Sequence, residues 1–324
     1  MGVMAAGPNQ AQPGSKYDRL IVAAKGVPSV STIVVHPCDE SSLRGAIESA
    51  EAGIITPILV GPAGRIRDTA VKHNIDIAGY EVVDTPPTEA AAAAKGVELI
   101  HEGQGEVLMK GSLHTDELMR SVTAKVGGLR TDRRISHVFV MDVPAYTETV
   151  FVTDAAINIF PDLDDKRDII QNAVDLYNQA GFGTIPRGAI LSAVETVTAK
   201  IPSTIEAAAL CKMADRKQIT GALLDGPLAF DNAIDMEAAR IKGIRSEVAG
   251  RAQILVVPDL ESGNMLAKNL SYFAKADGAG IVLGARVPVV LTSRADSARS
   301  RMASAAVACL YAAARRRGAP IAAA

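Results

Sequence analysis

Val107-Leu-Met-Lys-Gly-Ser-Leu-His-Thr-Asp-Glu-Leu-Met-Arg-Ser-Val-Thr-Ala-Lys125 passes from one hydrophobic period to another. A short apolar run, 107–109, gives way to a polar turn, 110–115, and then to a helical pattern over 116–125. Strand, loop and helix in that order make a βα unit. The rhythm recurs on both sides of it. Strand 32–35 precedes helix 41–52, strand 57–60 is closed by Gly61-Pro62, and an Ala-rich helix covers 89–102. Further on, strand 189–191 precedes helix 203–214, strand 254–257 precedes helix 264–274, and strands 280–283 and 287–291 precede a long helix over 297–315. Helices are also expected at 164–179 and 231–241. Two apolar runs, 137–141 and 150–153, lie so close around Pro144 that they suggest an antiparallel pair inside an otherwise parallel sheet. The class is therefore α/β, with mainly parallel sheets covered by helices on both faces.

Length and composition bound what such a chain does. With 324 residues it is long enough for about two domains. It carries 34 Lys and Arg against 36 Asp and Glu, a net charge of −2, which argues against binding nucleic acid by phosphate neutralisation. Aromatic residues make up 4% and Trp is absent, so a base-stacking platform is not expected either. Cys38, Cys211 and Cys309 stand far apart with no CxxC, which fits a reducing, cytoplasmic setting without a disulfide framework. No apolar run approaches the roughly 20 residues of a membrane span. Residues 1–15 read as a loose tail rather than a signal peptide.

In parallel α/β sheets, ligands bind at loops leaving the carboxyl ends of strands. Here those loops contain Lys110 to Thr115, Asp154 with Asn158, Asp225-Gly-Pro227, Pro258 to Asn264, and Thr292-Ser-Arg-Ala-Asp296. One such loop is explained by turn and capping chemistry, whereas five polar loops point to a cleft. Ser293-Arg294, just before a helix, offers a hydroxyl, a guanidinium and free helix N–H groups to an anion. Lys110-Gly111 is a second candidate anion contact, and His114 lies in the same loop. GxxxxGK[ST], HExxH and GxSxG motifs are missing, as is any metal-spaced His/Cys/Glu cluster, so no metal is expected.

Taken together, Leu108-Met-Lys-Gly-Ser-Leu-His-Thr115, Thr153-Asp-Ala-Ala-Ile-Asn-Ile159, Asp225-Gly-Pro-Leu-Ala-Phe-Asp231, Pro258-Asp-Leu-Glu-Ser-Gly-Asn264 and Leu291-Thr-Ser-Arg-Ala-Asp296 resemble the phosphate acetyltransferase/phosphate butyryltransferase family. The resemblance runs in order from about Lys16 to Arg315, and its wording is nearer the butyryltransferase branch. It implies two α/β/α domains of the isocitrate/isopropylmalate dehydrogenase-like superfamily, with the active site in the interdomain cleft. The first would take 1–147 plus 283–324, and the second 148–282. The implied reaction is reversible transfer of a short acyl group, acetyl to butyryl, between coenzyme A and inorganic phosphate. Coenzyme A and acyl-CoA are substrates there, no cofactor is tightly bound, and the assembly is a homodimer or larger.

Carried over residue by residue, the resemblance makes Ser293 and Arg294 contacts to phosphate and the acyl carbonyl. Lys110, Gly111, Thr115, Asp154, Asn264 and Lys268 become cleft residues; Asn264 and Lys268, four apart on a helix, share a face. Arg130, Arg133 and Arg134 form a basic group suited to the phosphates of coenzyme A. The family's acid seven positions after the serine is replaced by Ser300, which leaves Asp296 as the nearby carboxylate for the role of base. Two other classes are weighed against this reading. A non-catalytic acyl-CoA-binding regulatory module would not need Ser293, Arg294, Asn264 and Lys110. A dehydrogenase of the same fold would need an Asp cluster for metal and a nucleotide loop, neither of which is found.

Overall fold

The computed structural model describes residues 15–292 and 296–318. In its first half it contains α1 (Lys16–Lys25), β1 (Val30–Val35), α2 (Glu40–Glu51), β2 (Ile55–Gly61), α3 (Ala63–Lys72), β3 (Glu81–Asp84), α4 (Glu89–His101), β4 (Val107–Lys110), α5 (Thr115–Val122) and β5 (Ser136–Asp142). There follow β6 (Val150–Thr153), α6 (Leu163–Gln179), β7 (Arg187–Leu191), α7 (Pro202–Asp215), β8 (Leu223–Leu228), α8 (Phe230–Ile234), α9 (Met236–Ile241) and β9 (Ile254–Val256). The chain closes with α10 (Leu260–Tyr272), β10 (Asp277–Leu283), β11 (Val289–Val290) and α11 (Ala298–Arg316).

All strands join one sheet in the order β3-β2-β1-β4-β11-β10-β5-β6-β9-β7-β8. Neighbours are parallel from β3 to β11 and again from β6 to β8. Between these blocks β10 runs antiparallel to both β11 and β5, and β5 antiparallel to β6. The two parallel blocks therefore point in opposite directions, with the β5–β10 ladder between them. The close pair around Pro144 is antiparallel, as its short connection requires.

Alternation of side chains across the sheet separates the core into layers. Val34, Val138, Val140, Phe151, Ile190 and Ile281 belong to one continuous cluster beneath α1, α2, α6, α7 and α11. On the opposite face the apolar layer is broken in two. Ile33, Leu108, Leu118 and Val282 pack with α4 and α5, while Met141, Val152, Leu255 and Ala239 pack around α8, α9 and the flank of α10. His137, Phe139, Gly278 and Gly280 occupy the sheet between these two groups; the register pairs Phe139 with Gly280 and Met141 with Gly278. Two glycines on this face add no side chains, so the gap stays open.

Four expectations change in detail. The single helix at 231–241 is two, because Asp235 is extended (φ −121°, ψ 118°) and its carboxylate caps a new start at Ala238 N–H, 2.7 Å away. Helix α10 begins at Leu260 rather than 264, since Asp259 and Ser262 form a reciprocal capping box there. Strand β8 does not stop before Asp225-Gly-Pro227 but runs through it to Leu228. It is the outermost strand, where a proline costs no ladder bond. The strand expected at 287–291 shrinks to Val289–Val290. Elements α1, α3 and β3 stand beyond the sequence expectations; of the expected tail, 1–15, residues 1–14 lie outside the described residues and Ser15 caps α1.

The start of α11 is tied to α2 by a buried arginine. Arg301, 2% exposed, lays its stem against Gly45, where a Cβ would come within 2.8 Å of Arg301 Cδ. Its guanidinium donates to Thr292 Oγ1 at 2.8 Å and to Ser41 Oγ at 3.3 Å. Asp39, the N-cap of α2, accepts from Ser42 N–H at 2.8 Å. Burial pushes the Asp39 carboxyl up, but hydrogen bonds from Ser42 and Ser41 and the charge of Arg301 outweigh it and hold it below the usual range. Asp39→Ala is expected to cost about 1 kcal/mol of stability at neutral pH. A carboxyl lowered in the folded state contributes above its unfolded pKa, about 3.9, and loses that contribution as pH falls through the folded value. Urea midpoints of variant and wild type should differ at pH 7 and converge towards pH 3; an equal gap at both would remove the ionised carboxylate from the account.

Candidate active site

The gap in the helical layer is a cleft of about 770 Å³. Its floor is the β5–β10 ladder, through His137, Phe139 and Gly278. One wall is the β4–α5 corner with Lys110, His114 and Thr115. The opposite wall is α10, through Asn264, Lys268 and Ser271, with Ala156 from the loop after β6. Thr292, Asp296, Ser297 and Ser300, at the β11–α11 junction, border it as well. Strand directions explain this convergence. Strands β4 and β11 deliver their carboxyl ends from one block, and β6 and β9 deliver theirs from the other, reversed block.

Lys110 ends β4 and is 3% exposed, although its side chain borders the cleft. The turn that follows is fixed by β1. Gly111 N–H donates to Val35 O at 2.8 Å and Ser112 N–H to His36 O at 2.9 Å. Ser112 Oγ also donates to His36 O at 2.8 Å. A Cβ on Gly111 would stand 2.3 Å from Val35 O, so only glycine lets this strand end pass so close to its neighbour. Gly111 thus shapes the wall and does not line it. His114, N-cap of α5, hydrogen-bonds through its ring to Glu89 at 2.9 Å and gives no side-chain cap to the helix. Thr115 opens α5, where helix N–H groups and the dipole favour an anion.

Asp154 stands behind the cleft wall. Its carboxylate accepts from Ala156, Ile157 and Asn158 N–H at 2.9, 3.1 and 3.2 Å and from Asn158 Nδ2 at 2.6 Å. Burial nevertheless raises its pKa above the ordinary value, against those hydrogen bonds. Its acceptor capacity is spent on folding the loop that brings Ala156 to the cleft. Asn264 donates to Ala155 O at 3.2 Å, which seats α10 against the same loop. Lys268 follows one turn later, exposed on the same helix face.

At the last junction, Ser297 caps α11 by accepting from Ser300 N–H at 3.1 Å. Ser300 itself is buried and borders the cleft, so the position where the resemblance leads one to seek an acid carries a hydroxyl. Asp296 borders the cleft two residues after the pair Ser293-Arg294, which lies outside the described residues. Arg130, Arg133 and Arg134 do not line the cleft. Arg133 pairs with Asp175 at 3.5 Å. Arg134 pairs with Asp165 at 3.3 Å and donates to Asn158 Oδ1 at 2.7 Å. These two clip the 130–135 loop onto α6 and the loop after β6, and Arg130 forms an isolated bridge with Ala285.

His137, Phe139, Ser271 and Thr292 are among the lining residues that the sequence did not mark as site residues. His137 is read from sequence as a core or surface histidine. It is indeed buried, and burial alone brings its pKa down to about 3, yet it borders the cleft. Strand alternation places 137 and 139 on one face, but which face is uncovered depends on helices far away in sequence. Among the described residues no His/Cys/Asp/Glu group is arranged to hold a metal ion.

The assembled cleft holds two lysines, the start of α5 without a side-chain cap and several hydroxyls beside an apolar floor, a setting for a phosphorylated substrate with a small apolar part. Known proteins agree with that chemistry. The chain is 71% identical over 313 residues to a phosphate acetyltransferase of Rhizobium meliloti, covering 97% of this chain and 98% of that one. It is 41% identical over 297 residues to a phosphate butyryltransferase of Clostridium beijerinckii, covering 92% and 98%. The solved branched-chain phosphotransacylase from Enterococcus faecalis V583 superposes with a TM-score of 0.76 at 28% identity, over 87% of this chain and 99% of that one. Residues 86–309 match the family model described as phosphate acetyl/butaryl transferase, and the chain accordingly belongs to the phosphate acetyl/butyryl transferase family of acyltransferases.

Proposed function

We propose that the protein transfers an acetyl group reversibly between coenzyme A and inorganic phosphate in the cleft described above. The observation that carries the choice of acetyl is the 71% identity, end to end, with an acetyltransferase, against 41% with a butyryltransferase. The motif wording alone leans to the butyryl branch, and the end-to-end identity outweighs it. Nothing supports a non-catalytic regulatory module, since the relatives compared over nearly their full lengths are named as transferases. The proposal places the enzyme in the cytoplasm as a homodimer or larger. It divides the chain into 1–147 plus 283–324 and 148–282; the pairing of β11 with β4 supports that return of the chain.

In the direction of thioester synthesis, the thiolate of coenzyme A attacks the carbonyl carbon of acetyl phosphate. A tetrahedral oxyanion forms, then collapses, and the phosphate leaves with the C–O bonding pair. Arg294 supplies positive charge to the oxyanion and, with Ser293, to the phosphate. Lys110, Asn264 and Lys268 face the phosphate from two walls, and Thr115 offers the start of α5. Holding both substrates in one cleft supplies much of the remaining acceleration. Asp296, the carboxylate bordering the cleft beside this loop, takes the thiol proton in place of an acid at position 300.

Purified protein with acetyl-CoA and phosphate should release coenzyme A only when phosphate, or arsenate in its place, is present. Acetyl-CoA should exceed propionyl- and butyryl-CoA in kcat/KM; the reverse ranking would return the enzyme to the butyryl branch. Arg294→Ala is expected to lower kcat by about a hundredfold or more, the scale of one lost oxyanion contact. Turnover close to wild type would take Arg294 out of the mechanism. Asp296→Asn should flatten the acid limb of the pH–rate profile, and an unchanged limb would show that another group accepts the proton.

A further inference from the structure

His137 is 1% exposed and borders the cleft from the middle of β5. Its carbonyl is engaged, accepting from Thr153 Oγ1 at 2.8 Å. Its ring is not. Nδ1 has no hydrogen-bond partner among the described residues. Nδ1 is enclosed, so the nitrogen that the ring can offer to a ligand in the cleft is Nε2. The surroundings are arranged for this ring. Phe139 meets it edge to face, with centroids 4.4 Å apart. On the facing strand, a Cβ at Gly280 would stand 3.0 Å from His137 Nε2 and 2.4 Å from Leu291 O. Glycine at 280 therefore lets the imidazole and the end of β11 meet on the cleft floor.

We infer that His137 contacts the acyl group, its neutral imidazole donating an N–H to the carbonyl oxygen that becomes the oxyanion. The inference rests on the acyltransferase reading above and adds a residue to it. As the sulfur–carbon bond forms, the carbonyl π pair moves onto oxygen, towards that N–H. When the bond to the phosphate oxygen breaks, the pair on oxygen restores the carbonyl and the C–O bonding pair leaves with phosphate. His137 keeps its proton throughout. Burial brings its pKa down to about 3 and keeps the ring uncharged during turnover. An uncharged donor stabilises an oxyanion without drawing the phosphate into the acyl position.

The test uses the full-length protein and measures kcat and KM with acetyl-CoA and phosphate from pH 6 to 9. His137→Leu should lower kcat by about a hundredfold, with KM for phosphate within about twofold of wild type and both limbs of the pH profile unmoved. His137→Asn, which keeps an N–H donor, should recover about tenfold of that loss. A wild-type kcat in His137→Leu overturns the inference, as does a loss confined to one pH limb, which would make the ring a proton carrier. Should the leucine variant fail to fold, wild type labelled with ¹⁵N-histidine decides. The His137 ring signal should shift on binding acetonyl-CoA, the ketone analogue of the thioester, and an unmoved signal at saturation overturns the inference. Absence of phosphate-dependent release by wild type would bring down the transferase reading together with His137, whereas an active wild type beside an equally active leucine variant brings down His137 alone.

Discussion

Everything in this molecule turns on the ladder between β5 and β10. Ser136–Asp142 pairs along its whole length with Asp277–Leu283, antiparallel, while the blocks on either side are parallel within themselves. This antiparallel insert between the blocks, three reversals in succession, has two effects. It points the carboxyl ends of the two blocks towards opposite ends of the ladder, so that their loops overlap above it. It also leaves the ladder with no crossover helix of its own on one face, because an antiparallel pair needs none. The opposite face is closed by a continuous apolar layer that includes α11. A cleft on one side and an unbroken core on the other are thus consequences of a single topological choice.

The chain reinforces this ladder from both of its ends. Lys16, at the start of α1, pairs with Asp142 at 2.8 Å, and Tyr17 donates its hydroxyl to Val140 O at 2.7 Å. At the other end, Ser304 Oγ of α11 accepts from Gly280 N–H at 3.1 Å. Arg301 then joins α11 to α2 and to Thr292 at the cleft edge. A buried guanidinium needs several acceptors and nearby carboxylates to be tolerated. Here burial lowers its pKa and the charges of Asp296 and Asp39 oppose that shift. The strand end that leads to Ser293-Arg294 is therefore held by groups from three separate parts of the chain.

Much of this was legible beforehand, and the failures have physical reasons. The βα rhythm, the antiparallel pair around Pro144 and the polar strand-end loops follow from local periodicity and turn chemistry. Of the residues expected at the site, Lys110, Thr115, Asn264, Lys268 and Asp296 border one cleft. Asp154 and Gly111 belong to the right loops but serve the backbone: a carboxylate surrounded by N–H groups and a glycine pressed against Val35 O are spent before any substrate arrives. The arginines at 130, 133 and 134 look like a basic patch in one dimension. In three dimensions, acids on α6 take up Arg133 and Arg134.

By itself the sequence determined the class of structure, the family and the chemical character of each loop, because hydrophobic period, capping residues and motif order are properties of neighbours along the chain. Only the tertiary structure decided which loops face one another and which polar groups remain for a substrate. Those depend on strand order and on the reversal at β5 and β10, which bring together residues separated by more than a hundred positions. His137 shows the difference most clearly. As a letter in a strand it is an ordinary buried histidine. Gly280, Phe139 and the interrupted helical layer above it are what give its ring a place at the cleft.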